Sequence, residues 1–434
     1  MKKKMMPPKL LTAIVADHHG DIFELEGYAA VGMAGQAMEV LTPESNGKIP
    51  FGSELMYLPD RSPIVFNLAT AQLETLSENP YAPGEPLFPV AAFNSPGYVI
   101  SYNSAFKALP DARPLPLFSY GAAGWYADSF HTAVIQVDPE PRQDLRLMKR
   151  EDVEAGVRHM RRQLPCNRLR QHLETCALTY GCPAGKNFFL QRYEAPLPTS
   201  KRCNARCLGC ISKQSPDSQV PVSQNRIGFT PTAKEIAEVA LEHIYYVRNP
   251  VVSFGQGCEG DPLLAAEAII PAIELIRSQT DKGTININTN GSQPDTLARM
   301  WKAGLDSVRI SLNSVRENCY AGYYRPQGYA FDDILKSIAQ ALERKKFVSI
   351  NYLNSPGFTD SPEESDALHR FLESYPIQMI QWRNLNIDPL LYWQKMEGLG
   401  PLSPPLGMAK TIENTQAGFP YLRHGYFNPP KEKF

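Results

Sequence analysis

The sequence predicts an α/β protein, a partial (βα)6 barrel behind an N-terminal β-rich domain. Three observations carry that expectation. From about residue 187 onward, strand-like and helix-like segments alternate, as βα units around a parallel sheet do. Two neighbouring candidate strands alternate polar with apolar residues, which a strand covered by helices on both faces does not. Residues 1 to about 147 carry short β-like runs separated by turn signals.

Taken in chain order, the first domain (1–147) is rich in Pro, Gly and aromatics. Its β-like runs include Leu11 to Val15, Ile22 to Leu25 and Tyr98 to Tyr102, with turns at His19-Gly20-Asp21 and Ser95-Pro96-Gly97. A connector (148–186) follows, in which Lys149 to Tyr180 turns helical and basic through Arg158, Arg161, Arg162, Arg168 and Arg170. A solvated helix face explains those charges better than a nucleic-acid patch.

In the core (187–391) the candidate strands are Phe188 to Tyr193, Pro250 to Gly255, Thr284 to Asn290, Ser307 to Asn313, Phe347 to Leu353 and Ile377 to Arg383. Between them Ile236, Val239, Ala240, Ile244 and Val247 share one helix face, and Ile334, Leu335, Ile338 and Leu342 another. Ser361 and Glu364 form a capping box with Pro362 at the first helical position, and Gly304 ends the helix that starts near Pro294. Asn286, Asn288 and Asn290 alternate with Ile285 and Ile287; Arg309, Ser311 and Asn313 alternate with Val308, Ile310 and Leu312. Buried amides and hydroxyls need partners, so these side chains predict a polar, occupied lumen. A closed eight-stranded barrel fills its interior with branched apolar residues, so an open, TIM-like six-stranded version fits better. The remaining residues (392–434) read as a Pro-rich, extended tail.

Composition bounds the function. Lys plus Arg (44) nearly balances Asp plus Glu (45) in 434 residues, so no global charge argues for nucleic acid or an anionic membrane. Pro7 and Pro8 interrupt the basic N-terminus, and the apolar run Leu10 to Ala16 is short, which reads as a cytoplasmic start rather than a signal peptide. The run Leu263 to Ile276 carries Glu267 and Glu274 and is too short to span a bilayer.

Eight cysteines cluster rather than spread. Cys203, Cys207 and Cys210 fall on one short segment after the first core strand, and three thiolates are one ligand short of a complete four-cysteine iron-sulfur site. A zinc site would want a fourth Cys or His at paired spacing. Upstream, Cys166, Cys176 and Cys182, with His172, form a candidate auxiliary metal group; the alternative is buried cysteines in a helical segment. Cys258 and Cys319 stand singly and read as small buried thiols. After the second core strand comes a glycine turn, Ser253-Phe254-Gly255-Gln256-Gly257-Cys258-Glu259-Gly260-Asp261-Pro262, where backbone can approach a ligand closely and an adjacent amide or carboxylate can accept from an ammonium group.

The CxxxCxxC spacing of Cys203, Cys207 and Cys210, opening a (βα)6 run, resembles the radical S-adenosylmethionine (SAM) superfamily over about residues 187–390. The resemblance implies that the three cysteines ligate a 4Fe-4S cluster whose fourth iron is chelated by SAM. It implies an enzyme that cleaves SAM reductively to a 5′-deoxyadenosyl radical, which attacks a small-molecule, peptide or RNA substrate. Gly209 departs from the family, which often has an aromatic residue there. The glycine turn is similar to the family's Gly-Gly-Glu-Pro motif, with Gly255, Gln256, Gly257 and Glu259 as cofactor-binding positions, and either Gln256 or Glu259 for the amino group of SAM. Ser311 and Asn313 match the family's ribose contacts. The family also implies a one-electron donor of flavodoxin or ferredoxin type, for which Lys201, Arg202 and Arg206 offer a basic landing. The competing reading is a non-catalytic iron-sulfur or zinc-binding scaffold.

Overall fold

The computed structural model describes residues 9–141, 144–216 and 218–434. The chain divides into two compact units, the first formed by the residues up to Val137 with Asn354–Asp366 and Asn384–Thr415, the second by Asp138–Leu353, Ala367–Arg383 and Gln416–Phe434.

The first unit is β-rich, as its turn-punctuated sequence leads one to expect. Strands Thr12–Ala16 and Ile22–Ala29 form an antiparallel hairpin within a ten-stranded sheet. Between them Asp17 Oδ1 accepts the amides of His19 and Asp21, so the two adjacent histidines mark a turn. Val31, Met33, Leu58, Ala91, Phe106 and Tyr120 form one core cluster. Arg61 pairs with Asp388 at 2.7 Å with both side chains enclosed, and Asp388 also caps helix Pro389–Glu397 through the Leu390 amide. A buried pair of this kind is costly to break from one side.

The second unit holds the parallel sheet. Its strands, in chain order and in spatial order alike, are β1 (Glu194–Pro196), β2 (Val251–Phe254), β3 (Thr284–Thr289), β4 (Ser307–Leu312), β5 (Phe347–Asn354), β6 (Met379–Asn384) and β7 (Arg423–Gly425). Pairing is parallel from β1 to β5 and again between β6 and β7. Before the sheet come α1 (Arg150–Gln163), α2 (Arg168–Leu178) and α3 (Pro183–Phe189); within it come α4 (Ala233–Tyr246), α5 (Ala266–Arg277), α6 (Pro294–Ala303), α7 (Glu317–Tyr324), α8 (Phe331–Glu343) and α9 (Pro362–Ser374). This is the expected partial (βα) barrel with a β-rich N-terminal region.

Local chemistry sets the helix ends. Thr232 and Glu235 form a reciprocal capping box that starts α4, whose Ile236, Val239, Ala240 and Ile244 are buried. Gly304, at φ 116°, closes α6 in the left-handed conformation. The basic connector is indeed helical: Arg161 and Arg170 both pair with Glu174 and Arg168 pairs with Glu235, while Arg158, Arg161, Arg162 and Arg168 lie exposed.

Three expectations are corrected. Phe188 and Phe189 end α3 instead of opening a strand, because Pro183 sits at the first position of a helix and both rings are buried; a short apolar run does not distinguish strand from buried helix. The sheet has seven strands, not six, since Arg423–Gly425 adds to β6. The segment from Tyr392 is not an extended tail: it contains the end of Pro389–Glu397, helix Met408–Gly418 and β7. Among the described residues no helix is long and apolar enough to cross a membrane.

Candidate functional site

The loop that carries Cys203, Cys207 and Cys210 leaves the C-terminal end of β1 and is held from several sides. Arg206 and Leu208 donate their amides to the carbonyls of Tyr324 and Tyr323 at 2.9 and 3.0 Å, and Gln327 donates to Asn204. The Asn204 side chain donates to Ser292 and accepts from Asn290. Gln214 Nε2 bridges the carbonyls of Leu208 and Cys210. Each of the three cysteines is half-buried. Burial pushes the Cys203 thiol up to about 11, with Asp261 and Cys210 adding to the rise. Burial, then Cys203 and Cys210, push the Cys207 thiol well above its ordinary value. Arg226 Nη2 approaches Cys210 Sγ at 3.3 Å and is the counter-charge in this group. Cys203 and Cys207 thus resist ionising side by side, and a bound cation that takes their protons' place would match them.

The glycine turn between β2 and α5 is fastened to this loop by one acid. Glu259, only 4% exposed, accepts the amides of Thr199 and Ser200 on Oε2 and those of Gly255 and Gln256 on Oε1, all within 2.7–2.8 Å. A carboxylate has about four acceptor positions, so its capacity is taken up inside the protein. Burial raises its carboxyl to about 7 against the pull of those four amides. Gly260 donates to the Ser200 carbonyl and Asp261 to the Arg202 carbonyl, while the Asp261 carboxylate holds Thr289 and the Asn290 amide. Gly255 and Gly260 are packed against backbone, while Gly257 faces the Ile211 and Gln224 side chains. A Cβ on Gly255, where φ is +80°, would lie 1.8 Å from the Asn288 carbonyl oxygen, and one on Gly260 would lie 1.9 Å from that of Arg202.

The sequence-derived cofactor positions therefore separate into two groups. Gly255, Gln256 and Gly257 lie at least partly accessible on the turn, with Gln256 Nε2 bonded to the Ser253 carbonyl. Ser311 lies on the β4 face opposite the fully buried Ile310 and Leu312, in register with Asn351 of β5. Glu259 and Asn313 are enclosed, Asn313 donating to the Cys319 carbonyl.

The lumen is polar as expected, but its deep layer is filled by the protein's own bonds. Asn286 donates to Asn288 and accepts from Ser307; Asn288 donates to the Gly255 carbonyl. Asn428, from beyond β7, donates to Glu194 and accepts from Gln381, which in turn accepts from Arg309. Burial and the nearby Arg383 lower Arg309 to about 9. The part played by Asn428 has no sequence signal, since it lies about 140 residues from Asn288.

A second cluster of metal-ligating groups differs from the one the spacing suggested. His172 and Cys176 of α2 meet Cys258 of the glycine turn, whereas Cys166 is exposed and apart.

Residues 197–368 match the Radical SAM superfamily. The chain carries a radical SAM domain. It starts directly after β1, so it contains both the Cys203 loop and the glycine turn. The superfamily's cofactors are a 4Fe-4S cluster and SAM. No curated protein matches the sequence. Among solved structures, methylornithine synthase (PylB) is 17% identical, with 62% of this chain and 77% of that one covered and a TM-score of 0.38. A radical SAM methyltransferase from Sphaerobacter thermophilus is 15% identical over 52% and 63%, TM-score 0.36. SuiB from Streptococcus suis is 14% identical over 60% and 53%, TM-score 0.39.

Proposed function

We propose that the radical SAM domain works as an enzyme in which Cys203, Cys207 and Cys210 ligate the 4Fe-4S cluster and the β2 turn and β4 end hold SAM. The observation that carries this reading is the joint anchoring of the cysteine loop and the glycine turn by Glu259 at the C-terminal end of a parallel sheet, where such barrels gather their chemistry. The donor set fits the cluster: three soft thiolates, one ligand fewer than four irons need. When bound, the cluster supplies the electron that cleaves the sulfur-carbon bond of SAM.

The chain's own residues have distinct tasks in this reading. The three thiols release their protons to the medium as metal binds. Arg226 donates an N–H to the Cys210 sulfur and offsets negative charge there. Glu259 fixes the turn, which leaves Gln256 as the acceptor for the SAM ammonium group. Ser311 offers its hydroxyl to the ribose, and Asn313 positions the strand end by its bond to Cys319. The exposed Lys201, Arg202 and Arg206 beside the loop suit an acidic one-electron donor of flavodoxin or ferredoxin type.

Anaerobic reconstitution with iron and sulfide, followed by SAM and dithionite, should yield 5′-deoxyadenosine and methionine. The Cys207→Ala variant should lose both iron and cleavage, and Gln256→Ala should keep its iron while its dissociation constant for SAM rises about tenfold. An intact cluster that leaves SAM uncleaved would instead support the non-catalytic scaffold.

A further inference from the structure

A second group of metal-ligating side chains lies outside the Cys203 loop. His172 Nε2, Cys176 Sγ and Cys258 Sγ all lie within 4.8 Å of one another, in a pocket where Cys176 and Cys258 are buried and His172 is half-buried. The imidazole nitrogen is 3.6 Å from Cys176 Sγ. Tetrahedral zinc, with Zn–S of about 2.3 Å and Zn–N of about 2.0–2.1 Å, places neighbouring sulfur and nitrogen about 3.6 Å apart and two sulfurs about 3.8 Å apart. The His172–Cys176 distance matches the first of these figures, and the 4.8 Å that bounds the whole group lets one ion draw all three ligands in.

The local fold explains the convergence. His172 and Cys176 are four residues apart on α2, so they lie on one helix face. Cys258 is presented by the turn after β2, whose conformation Gly255 and Glu259 fix. Cys182 follows closely, its amide bonded to the Cys176 carbonyl at 2.9 Å. Two thiols and an imidazole belong to the donor class of zinc sites.

We propose that His172, Cys176 and Cys258 bind one zinc ion, and that the ion ties α2 to the glycine turn. The site is independent of the cluster reading: it uses no residue of the Cys203 loop and needs no SAM.

The test is metal analysis of the full-length protein, loaded anaerobically with Zn2+ alone and then desalted, beside a sample that has also been reconstituted with iron and sulfide. Wild type should retain about one zinc per chain in both. Cys176→Ser and His172→Gln should lose it at least tenfold more readily to a chelator, with iron content and circular dichroism unchanged, while Cys166→Ser and Cys207→Ala should keep it. Co2+ in place of zinc should give a visible thiolate-to-metal absorption in wild type and Cys207→Ala, lost in Cys176→Ser. Zinc that washes out of the wild type, or that is held equally by Cys176→Ser, overturns the proposal. So does zinc lost in Cys207→Ala but kept in His172→Gln, which would put the ion on the Cys203 loop. Failure of the cluster reading is separate, because it appears in iron content and deoxyadenosine, not in zinc.

Discussion

Glu259 accepts the backbone amide of Thr199 at 2.8 Å, and its other oxygen accepts Gly255 at 2.7 Å, so one buried acid joins the start of the cysteine loop to the glycine turn. An acid in a glycine turn looks like a ligand contact when seen in sequence. Enclosed by four backbone donors, it is a fastener.

Removing that acceptor should be expensive. Glu259→Ala strands buried N–H groups, each worth about 1–3 kcal/mol when unpaired, so chemical denaturation should show a loss of about 3 kcal/mol or more, together with weaker iron retention. Glu259→Gln keeps one oxygen but turns an NH2 toward two donors, and should fall between wild type and alanine. Equal stability of all three proteins would mean that the four bonds carry no net energy.

The glycines should divide by what surrounds them. Gly255→Ala must place a Cβ 1.8 Å from the Asn288 oxygen at positive φ, and Gly260→Ala must place one 1.9 Å from the Arg202 oxygen; backbone atoms there have nowhere to move. Both should distort the turn and lower iron incorporation severalfold. Gly228→Ala, where a Cβ would meet nothing within 4 Å, should behave as wild type. Iron quantified after anaerobic reconstitution checks all three.

Arg226 reaches Cys210 Sγ at 3.3 Å. Hydrogen bonds and positive charge at cluster sulfurs favour the reduced state. Arg226→Gln should therefore keep its iron but shift the reduction midpoint by roughly tens of millivolts to more negative values, as read by potentiometry with EPR detection. A midpoint identical to wild type would remove Arg226 from the cluster's surroundings.

How much of this was legible beforehand follows from the range of each signal. The barrel was, because βα alternation and the Ile-Asn and Val-Arg patterns of β3 and β4 are local. The cysteine loop was too, since its three thiols fall within eight residues. Cys258 was not: its neighbours His172 and Cys176 lie on α2, and in sequence it is a solitary thiol. Phe188 and Phe189 misled because burial, which they have, is common to helix and strand. β7 is three residues long and takes its conformation from pairing with β6, which no local propensity announces.

Asn428 offers a test of that non-local layer. Its amide donates to Glu194 at 2.8 Å and its carbonyl accepts from Gln381, and Asn428 itself is only 2% exposed. Asn428→Ala takes the acceptor from the Gln381 amide, while Glu194 keeps the Ser253 hydroxyl, and should cost about 1–3 kcal/mol in urea unfolding. Asn428→Asp keeps the acceptor but sets a second carboxylate against Glu194, so it should be no more stable than alanine at neutral pH and should recover as the pH falls.

Acid sensitivity should trace in part to His243. Its ring is fully buried on α4, Nε2 lies 3.2 Å from the Tyr193 carbonyl, and burial lowers it from 6.5 to about 4. The unfolded chain binds this proton near 6.5 and the folded one only near 4, so between those values the unfolded state holds more protons and stability falls as pH falls. The full shift corresponds to about 3 kcal/mol. His424, also lowered to about 4 by burial, acts in the same direction. Glu259 acts in the opposite one, since a carboxyl raised to about 7 gains folded-state protons on acidification. The informative quantity is thus the difference between wild type and His243→Gln, not the slope of either. Urea unfolding at pH 7 and pH 4.5 should show wild type losing more stability than the variant, by up to about 3 kcal/mol. Parallel profiles would mean that the imidazole takes up its proton in the folded chain as readily as in the unfolded one.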